Sequence, residues 1–211
     1  MKSCIIFDLD GTLVDSRADL CTGVNLMRGD FDLPPLPPEQ IVTYVGNGTS
    51  LLCERALQGT AISVDDALPR LKKHYREHLL DQTRLYPGAE EGLRQLHHAG
   101  IPLAVISNKL ETPSKLILEG LGVAGLFQYI IGGDSGFKLK PDPDSLLHVV
   151  NAVGAEATRS YMVGDNYTDL ASARMAKMLS VYAAYGFGVL KDEKYDFRID
   201  DFAGLVKLVM K

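Results

Sequence analysis

Long apolar runs, paired cysteines and an excess of positive charge are all missing from this sequence. Three cysteines, Cys4, Cys21 and Cys53, form neither a disulfide framework nor a C-x-x-C metal pair, so we interpret them as small buried hydrophobic residues. The net charge of -5 provides no broad cationic field, which argues against nucleic acid or an anionic membrane surface as the main partner.

Segments that direct a chain to or through a membrane are missing as well. No apolar stretch approaches the roughly 20 residues of a membrane span, and the N-terminal residues show no signal-peptide cleavage pattern. We therefore expect a cytoplasmic protein that binds neither membranes nor nucleic acid. The sequence leaves open whether it is a monomer or a homodimer.

Short apolar segments indicate the fold class. The 211 residues, 46% of them hydrophobic, suffice for a large core in one domain or in a domain with an insertion. Helical patterns alternate with most of the apolar segments, which predicts an α/β fold with a Rossmann-like parallel sheet between two helical layers. The segments that predict strands buried on both faces are 4–9, 101–107, 129–133, 160–164 and 180–184.

Residues 17–81 interrupt this alternation. They contain helical patterns around 17–29, 38–58 and 65–80 and no convincing strand. An all-helical insertion after the first strand is the simplest explanation. The predicted division is a core of residues 1–16 and 82–211 with an inserted helical domain between them.

Polar residues follow three of the predicted strands. Asp8 and Asp10 end the first, Ser107-Asn108-Lys109 follow the second, and Asp165 and Asp169 follow the fourth. In open parallel sheets, ligands bind outside the carboxyl ends of the strands. Side chains two positions apart in a strand point the same way, so Asp8 and Asp10 can face one site. Asp165 and Asp169 can share a face if a helix begins there.

Four carboxylates in one partly dry crevice would repel one another strongly. A cation must therefore lie among them. An all-oxygen site favours Mg²⁺, which also binds substrate phosphates, over zinc. The sequence thus predicts a magnesium site from Asp8, Asp10, Asp165 and Asp169.

Four ordered motifs resemble those of the haloacid dehalogenase (HAD) superfamily of phosphohydrolases. They are FDLDGTLVDS (7–16), SNK (107–109), KPDP (140–143) and GDNYTD (164–169). The resemblance implies a HAD-like core in which residues 17–81 form a C1 cap, a lid over the active site. The acid at position 10 favours phosphoryl transfer over dehalogenation, because the dehalogenases of this superfamily lack it.

The resemblance also implies how the substrate would react. Asp8 would attack phosphorus and form an aspartyl-phosphate. Asp10 would protonate the leaving oxygen and then deprotonate the attacking water. Ser107 and the backbone N–H groups of Gly11 and Thr12 would bind the phosphoryl oxygens.

Charge balance at the site follows from the same resemblance. Lys140 would neutralise charge on the phosphate and on the nucleophile. Mg²⁺ would be held by Asp8, by the backbone carbonyl of Asp10 and by Asp165, with Asp169 as a direct or water-mediated ligand.

A glycine-rich segment in the cap suggests the substrate. Gly46-Asn47-Gly48 opens a predicted helix and resembles the V-G-N-G segment of phosphoglycolate phosphatases. The free N–H groups of a helix N-terminus suit a small carboxylate, and Asn108 is a further candidate for substrate binding. The alternative is that Gly46 and Gly48 only shape a turn between cap helices.

These features predict a Mg²⁺-dependent phosphatase for a small phosphorylated metabolite, with 2-phosphoglycolate as the leading candidate. Pyrophosphate, sugar phosphates and nucleotides remain open as substrates, and a β-phosphoglucomutase-like phosphotransferase would use the same two aspartates. The non-enzymatic alternative is a phosphate-responsive binding protein, which has no need of a proton-transfer acid.

Three local features are predicted less sharply. Lys109 either lies at the surface or touches the substrate. Thr112 and Pro113 are candidates for the N-cap and first residue of a helix. HAD relatives often carry glycine near the end of the helix that follows the fourth motif, where this chain has Ala176-Lys177-Met178. Because a left-handed conformation would strain a lysine, we expect a different turn there.

Overall fold

The computed structural model describes residues 2–210, which form eight β-strands and nine α-helices. The strands are β1 (Ile5–Phe7), β2 (Val14–Asp15), β3 (Arg84–Leu85), β4 (Leu103–Ile106), β5 (Tyr129–Ile131), β6 (Tyr161–Gly164), β7 (Leu179–Ala183) and β8 (Phe197–Ile199). The helices are α1 (Arg17–Gly29), α2 (Pro38–Val42), α3 (Thr49–Ala56), α4 (Val64–Glu77), α5 (Ala89–His98), α6 (Glu111–Gly120), α7 (Asp144–Ala152), α8 (Tyr167–Met175) and α9 (Phe202–Val209). Over residues 2–210, no helix has both the length and the apolarity needed to cross a membrane.

The main sheet has six parallel strands in the order β5-β4-β1-β6-β7-β8. From β1 the chain first winds outward through β4 and β5, and later returns to the other side of β1 at β6. The order of winding therefore reverses between β1 and β6, which is where doubly wound sheets bind ligands. The predicted α/β fold with a Rossmann-like parallel sheet is confirmed.

The central strand β1 is buried on both faces. Ile5 and Phe7 belong to the apolar cluster on one side of the sheet, and Ile6 belongs to the cluster on the other, as the alternation of side chains along a strand requires. The ring of Phe7 stacks on Phe202 of α9 with 5.9 Å between ring centroids. This packing fixes the strand whose end carries Asp8.

The chain leaves the sheet through β2 and returns through β3, and these two strands form a short antiparallel ribbon. Helices α1 to α4 lie between them in sequence. The buried carboxylate of Asp19 accepts hydrogen bonds from the backbone N–H groups of Gln82 and Thr83 and from the Thr83 hydroxyl. Asp19 thereby ties α1 to the returning chain, and we propose that residues 17–81 form the cap.

Several local expectations are corrected by the structure. The helical pattern around 38–58 is divided into α2 and α3, because Gly46 (φ 107°) and Gly48 (φ 92°) adopt backbone conformations that end a helix. Helix α6 begins at Glu111, one residue before the predicted N-cap Thr112, because the Asp134 carboxylate accepts a hydrogen bond from the Glu111 N–H. Strands β2, β3 and β8 were not predicted, because each contains a charged residue and none is a continuous apolar run like the other five.

The turn after α8 also differs from expectation. Lys177 adopts the left-handed conformation (φ 56°) that we expected it to avoid. The N–H of Met178 donates to the Ala173 carbonyl at 2.9 Å and the N–H of Lys177 to Arg174 at 3.1 Å, so the helix ends in a Schellman motif with lysine at the position that glycine usually occupies. The hydrogen bonds to the helix carbonyls therefore outweigh the backbone strain at Lys177, which is exposed.

Replacing this lysine by glycine is expected to stabilise the protein. Lys177→Gly removes the cost of holding a lysine in the left-handed conformation, about 1–2 kcal/mol in the folded state. Glycine also gives the unfolded chain more conformational freedom, which cancels part of this gain. We expect the free energy of unfolding to rise by about 0.5–1 kcal/mol in urea denaturation. Lys177→Ala is the matched control and should give no gain, because alanine is strained there as well; equal stabilisation by both variants would contradict this account.

Candidate active site

A cavity of about 290 Å³ lies between the carboxyl edge of the sheet and helices α1, α3 and α4. It lies at the carboxyl ends of β1, β4 and β6, and the reversal of winding falls between β1 and β6. Eight of the twelve residues predicted for the site line this cavity: Asp8, Asp10, Gly46, Gly48, Ser107, Asn108, Lys140 and Asp165. The sequence motifs thus converge on one place although they lie far apart along the chain.

A cluster of three aspartates and one lysine occupies the floor of the site. Ligand oxygens of Asp8, Asp165 and Asp169 lie within 4.8 Å of one another. Lys140 Nζ donates to Asp8 Oδ1 at 2.8 Å and lies 2.6 Å from Asp169 Oδ1. If all three carboxyl groups were ionised, one ammonium would leave two negative charges in a nearly water-free place.

The environment shifts the pKa of Asp165, Asp169 and Lys140. Burial raises the pKa of Asp165 well above its usual range, and the neighbouring charges of Asp8 and Asp169 raise it further. Burial likewise raises the pKa of Asp169, against the opposing effect of Lys140. For Lys140, burial alone would lower the pKa, but the carboxylates of Asp169 and Asp8 outweigh it and raise the pKa.

The residues present fit a divalent cation. Asp169 Oδ1 is buried and accepts no hydrogen bond within residues 2–210, although Lys140 Nζ is close to it. The Lys140 ammonium is shared between Asp169 and Asp8, and a hard cation with oxygen ligands would supply the positive charge that the carboxylates still lack. The residual charge of the cluster matches the charge of such an ion, and Asp8, Asp165 and Asp169 are the side chains that would hold it.

Glycines allow the backbone to close around Asp165. Its Oδ2 accepts hydrogen bonds from the N–H groups of Phe187 and Gly188 at 3.0 and 2.7 Å. A Cβ atom placed on Gly11, Gly186 or Gly188 would collide with Asp165. Glycine is therefore needed at position 11, because any side chain there would prevent the FDLDGTLVDS motif from approaching Asp165 of the GDNYTD motif.

The spacing of Asp165 and Asp169 suggested that one helix face brings them together, and this expectation is wrong. Helix α8 begins at Tyr167 with Asn166 as its N-cap, so Asp165 lies before the helix. Asp169 Oδ2 instead accepts a hydrogen bond from the Asn166 N–H at 3.0 Å, which completes a capping box. A turn, and not a helical repeat, places both carboxylates at the site.

Asp10 occupies a separate part of the cavity. Its carboxylate accepts hydrogen bonds from Lys109 Nζ at 2.8 and 3.0 Å and one from the Ser16 hydroxyl. Lys109 is buried, so its interpretation as a surface charge is wrong. Burial alone would lower the pKa of Lys109, but the Asp10 carboxylate outweighs it and raises the pKa.

Several predicted substrate-binding residues have other partners in this structure. The N–H groups of Gly11 and Thr12 donate to the carbonyls of Val14 and Leu9, which closes the turn after β1. Asn47 donates to the Tyr167 hydroxyl and accepts from Arg55, and it does not line the cavity.

Asn108 connects the turn before α3 to the segment that carries Lys140. Its amide nitrogen donates to the carbonyls of Gly46 and Lys140 at 3.0 Å each, and its oxygen accepts from the Lys140 N–H at 2.8 Å. The Gly46 turn lies so close to the core that a Cβ atom there would meet the Asn166 side chain at 2.6 Å. These contacts hold the turn before α3 against the site.

Sequence reasoning missed two residues that contact groups of the site. Tyr75, on α4, packs under Lys109 with 4.5 Å between Nζ and the ring centroid, and Ser16 contacts Asp10. No motif marks Tyr75. For Ser16, the signal was its place at the end of the first motif, next to the start of the cap.

A doubly wound sheet with a carboxylate–lysine cluster at its switch point defines a phosphohydrolase-like site, and comparison with known proteins agrees. Residues 5–183 match the haloacid dehalogenase-like hydrolase family. A phosphoglycolate phosphatase of Chromobacterium violaceum is 37% identical over 212 residues, covering 97% of this chain and 95% of the relative. That of Neisseria meningitidis is 39% identical over 190 residues, covering 87% and 81%.

Solved structures give the same result. The crystal structure of a predicted phosphoglycolate phosphatase from Haemophilus somnus matches with a TM-score of 0.94 at 30% identity, covering 98% of this chain and 97% of that one. The chain belongs to the haloacid dehalogenase-like hydrolase family. It is a phosphatase that acts on a small phosphorylated substrate, and phosphatases of this family generally use a divalent metal.

The raised pKa values predict how the metal-free protein responds to pH. Because folded Asp169, with a pKa of about 7, keeps a proton that the unfolded chain loses near pH 4, stability falls as pH rises through this window. Asp165 acts in the same direction. In EDTA, we expect the free energy of unfolding to fall by on the order of 2 kcal/mol between about pH 5 and about pH 7.

The measurement is urea denaturation at each pH with the metal removed. Asp165→Asn, which has one fewer titrating carboxyl in the cluster, should show a weaker dependence. A stability that stays constant or increases over the same interval would contradict the proposed carboxylate repulsion.

Proposed function

We propose that this protein is a Mg²⁺-dependent phosphatase that hydrolyses 2-phosphoglycolate through an aspartyl-phosphate on Asp8. The observation that carries the proposal is the ion pair between Lys140 and Asp8, at 2.8 Å, on the floor of a cavity with two buried lysines. Lys140 would bind the phosphoryl group and the nucleophile Asp8. Lys109 is then available to bind a second negative group of the substrate.

Asp8, Asp165 and Asp169 would hold the magnesium ion, together with the backbone carbonyl of Asp10. When bound, the ion supplies positive charge that offsets the repulsion between an anionic nucleophile and an anionic phosphoryl group. Lys140 contributes in the same direction and keeps the Asp8 carboxylate in one orientation through the hydrogen bond to its Oδ1. Ser107, at the end of β4 on the cavity wall, would donate its hydroxyl to a phosphoryl oxygen.

The reaction has two transfers of the phosphoryl group. In the first, a carboxylate oxygen of Asp8 forms a bond to phosphorus while the bond to the glycolate oxygen breaks, and Asp10 gives its proton to that oxygen. In the second, water attacks phosphorus, Asp10 takes the proton from the water, and the bond to Asp8 breaks. Phosphate leaves, and both aspartates return to their starting states.

Two observations support 2-phosphoglycolate as the substrate. The relatives from Chromobacterium violaceum and Neisseria meningitidis carry the name phosphoglycolate phosphatase, and this chain spans 95% and 81% of their lengths. The cavity presents the ammonium groups of Lys109 and Lys140 on one side and the turn before α3 on another. A small substrate with a phosphate and a carboxylate matches this pair of cationic groups.

The test is phosphate release from 2-phosphoglycolate, pyrophosphate, glucose 6-phosphate and nucleoside monophosphates, each with Mg²⁺ and with EDTA. We expect kcat/KM for 2-phosphoglycolate to exceed that for each other compound by about tenfold or more, which corresponds to about 1.4 kcal/mol of transition-state preference. EDTA should abolish turnover. A higher value for another phosphate ester, or full activity in EDTA, would contradict the proposal.

A further inference from the structure

Lys109 is a buried ammonium, and among residues 2–210 its carboxylate partner is Asp10. Its side chain is 6% exposed, it lines the cavity, and its Nζ makes both of its carboxylate contacts to Asp10. A buried ammonium that loses its partner is strongly destabilised. Lys109 can therefore release Asp10 only if another anion takes its place.

Tyr75 lies beside this ammonium and has an unused hydroxyl. The residue is buried, its ring faces Lys109 Nζ, and its hydroxyl finds no hydrogen-bond partner in residues 2–210. An unpaired buried hydroxyl costs free energy. Because it lines the same cavity as Lys109, both groups can donate to one acceptor, and the charge of Lys109 selects an anionic one.

The hydrogen bonds that Asp10 makes in this structure are incompatible with its proposed role in proton transfer. In the proposed reaction, its carboxyl group exchanges a proton with the leaving oxygen and with water. In this structure, both of its oxygens are engaged by Lys109, and Ser16 contacts one of them as well. Asp10 must exchange the contact with Lys109 for one with the substrate.

We propose that Lys109 and Tyr75 form the subsite for the substrate carboxylate, and that this carboxylate replaces Asp10 as the partner of Lys109. The inference rests on the proposed hydrolysis of 2-phosphoglycolate and adds the residues that recognise its second anionic group. It gives the carboxylate two functions, because binding it both holds the substrate and frees Asp10. A phosphate ester without a carboxylate leaves the Lys109–Asp10 pair intact.

The cap supplies further positive charge around this subsite. Lys72 and Arg76 lie on α4 on either side of Tyr75 and line the cavity. Cationic groups at a cavity wall attract anionic substrates and raise the rate of association. The substrate carboxylate would thus pass the exposed cationic groups of Lys72 and Arg76 before it reaches the buried ammonium of Lys109.

The test compares the binding of two phosphonates, which cannot be hydrolysed. 3-Phosphonopropionate has the chain length and carboxylate of 2-phosphoglycolate, whereas n-propylphosphonate has a methyl group in place of the carboxylate. Dissociation constants are measured by titration calorimetry with Mg²⁺ present. We expect the wild-type protein to bind 3-phosphonopropionate at least about tenfold more tightly, the effect of one charged hydrogen-bonding partner.

Three variants assign this preference to residues. Lys109→Met should reduce the ratio of the two dissociation constants to within about threefold, and Lys109→Arg should restore much of it, because arginine retains the charge. Tyr75→Phe keeps the ring, removes only the hydroxyl and should reduce the ratio by severalfold. Lys73→Met, which changes an exposed lysine of α4 outside the cavity, is the matched control and should keep the wild-type ratio.

The outcomes separate this inference from the proposed function. If 2-phosphoglycolate is hydrolysed but Lys109→Met and Tyr75→Phe keep the wild-type ratio, the subsite is wrong and the function stands. If 2-phosphoglycolate is not hydrolysed but Lys109→Met removes a clear preference for 3-phosphonopropionate, the function is wrong and the carboxylate subsite stands. A wild-type protein without any preference overturns the inference. Should Lys109→Met fail to fold, Tyr75→Phe and Lys109→Arg decide the question.

Discussion

The structure depends on one electrostatic constraint, the presence of a single ammonium beside three buried carboxyl groups. Lys140 contacts Asp8 and Asp169, while Asp165 receives two backbone N–H groups and no lysine. Uncompensated charge of this kind is tolerated in a protein interior only when something further neutralises it. The same arrangement that lowers stability in the absence of a cation makes the site fit a divalent ion.

Close backbone approaches and cap contacts maintain this arrangement. The glycines at positions 11, 186 and 188 surround Asp165, since any side chain there would fill the place of its carboxylate. Asn108 connects the backbone of Lys140 to the Gly46 turn of the cap. These hydrogen bonds join the turn before α3 to the backbone of the lysine that contacts Asp8.

Much of the core could be predicted from the sequence because its signals are local. Five strands are continuous apolar runs, and the residues that follow β1, β4 and β6 belong to short motifs with a known order. The cap contacts could not be predicted in the same way. Tyr75 meets Lys109 only through tertiary packing, and the Lys109–Asp10 pair joins residues 99 positions apart. Lys177 was misjudged because satisfied helix carbonyls outweighed local strain.

The central claim is that this cluster makes Asp8 a nucleophile, and the most direct measurement traps the phosphorylated side chain. Enzyme turning over 2-phosphoglycolate with Mg²⁺ is quenched in acid and reduced with borohydride, which converts an aspartyl-phosphate into homoserine, and the peptide of residues 5–16 is analysed by mass spectrometry. The account predicts homoserine at position 8 and none in Asp8→Asn. Phosphate release with Asp8 unmodified, or homoserine at position 10, would contradict it.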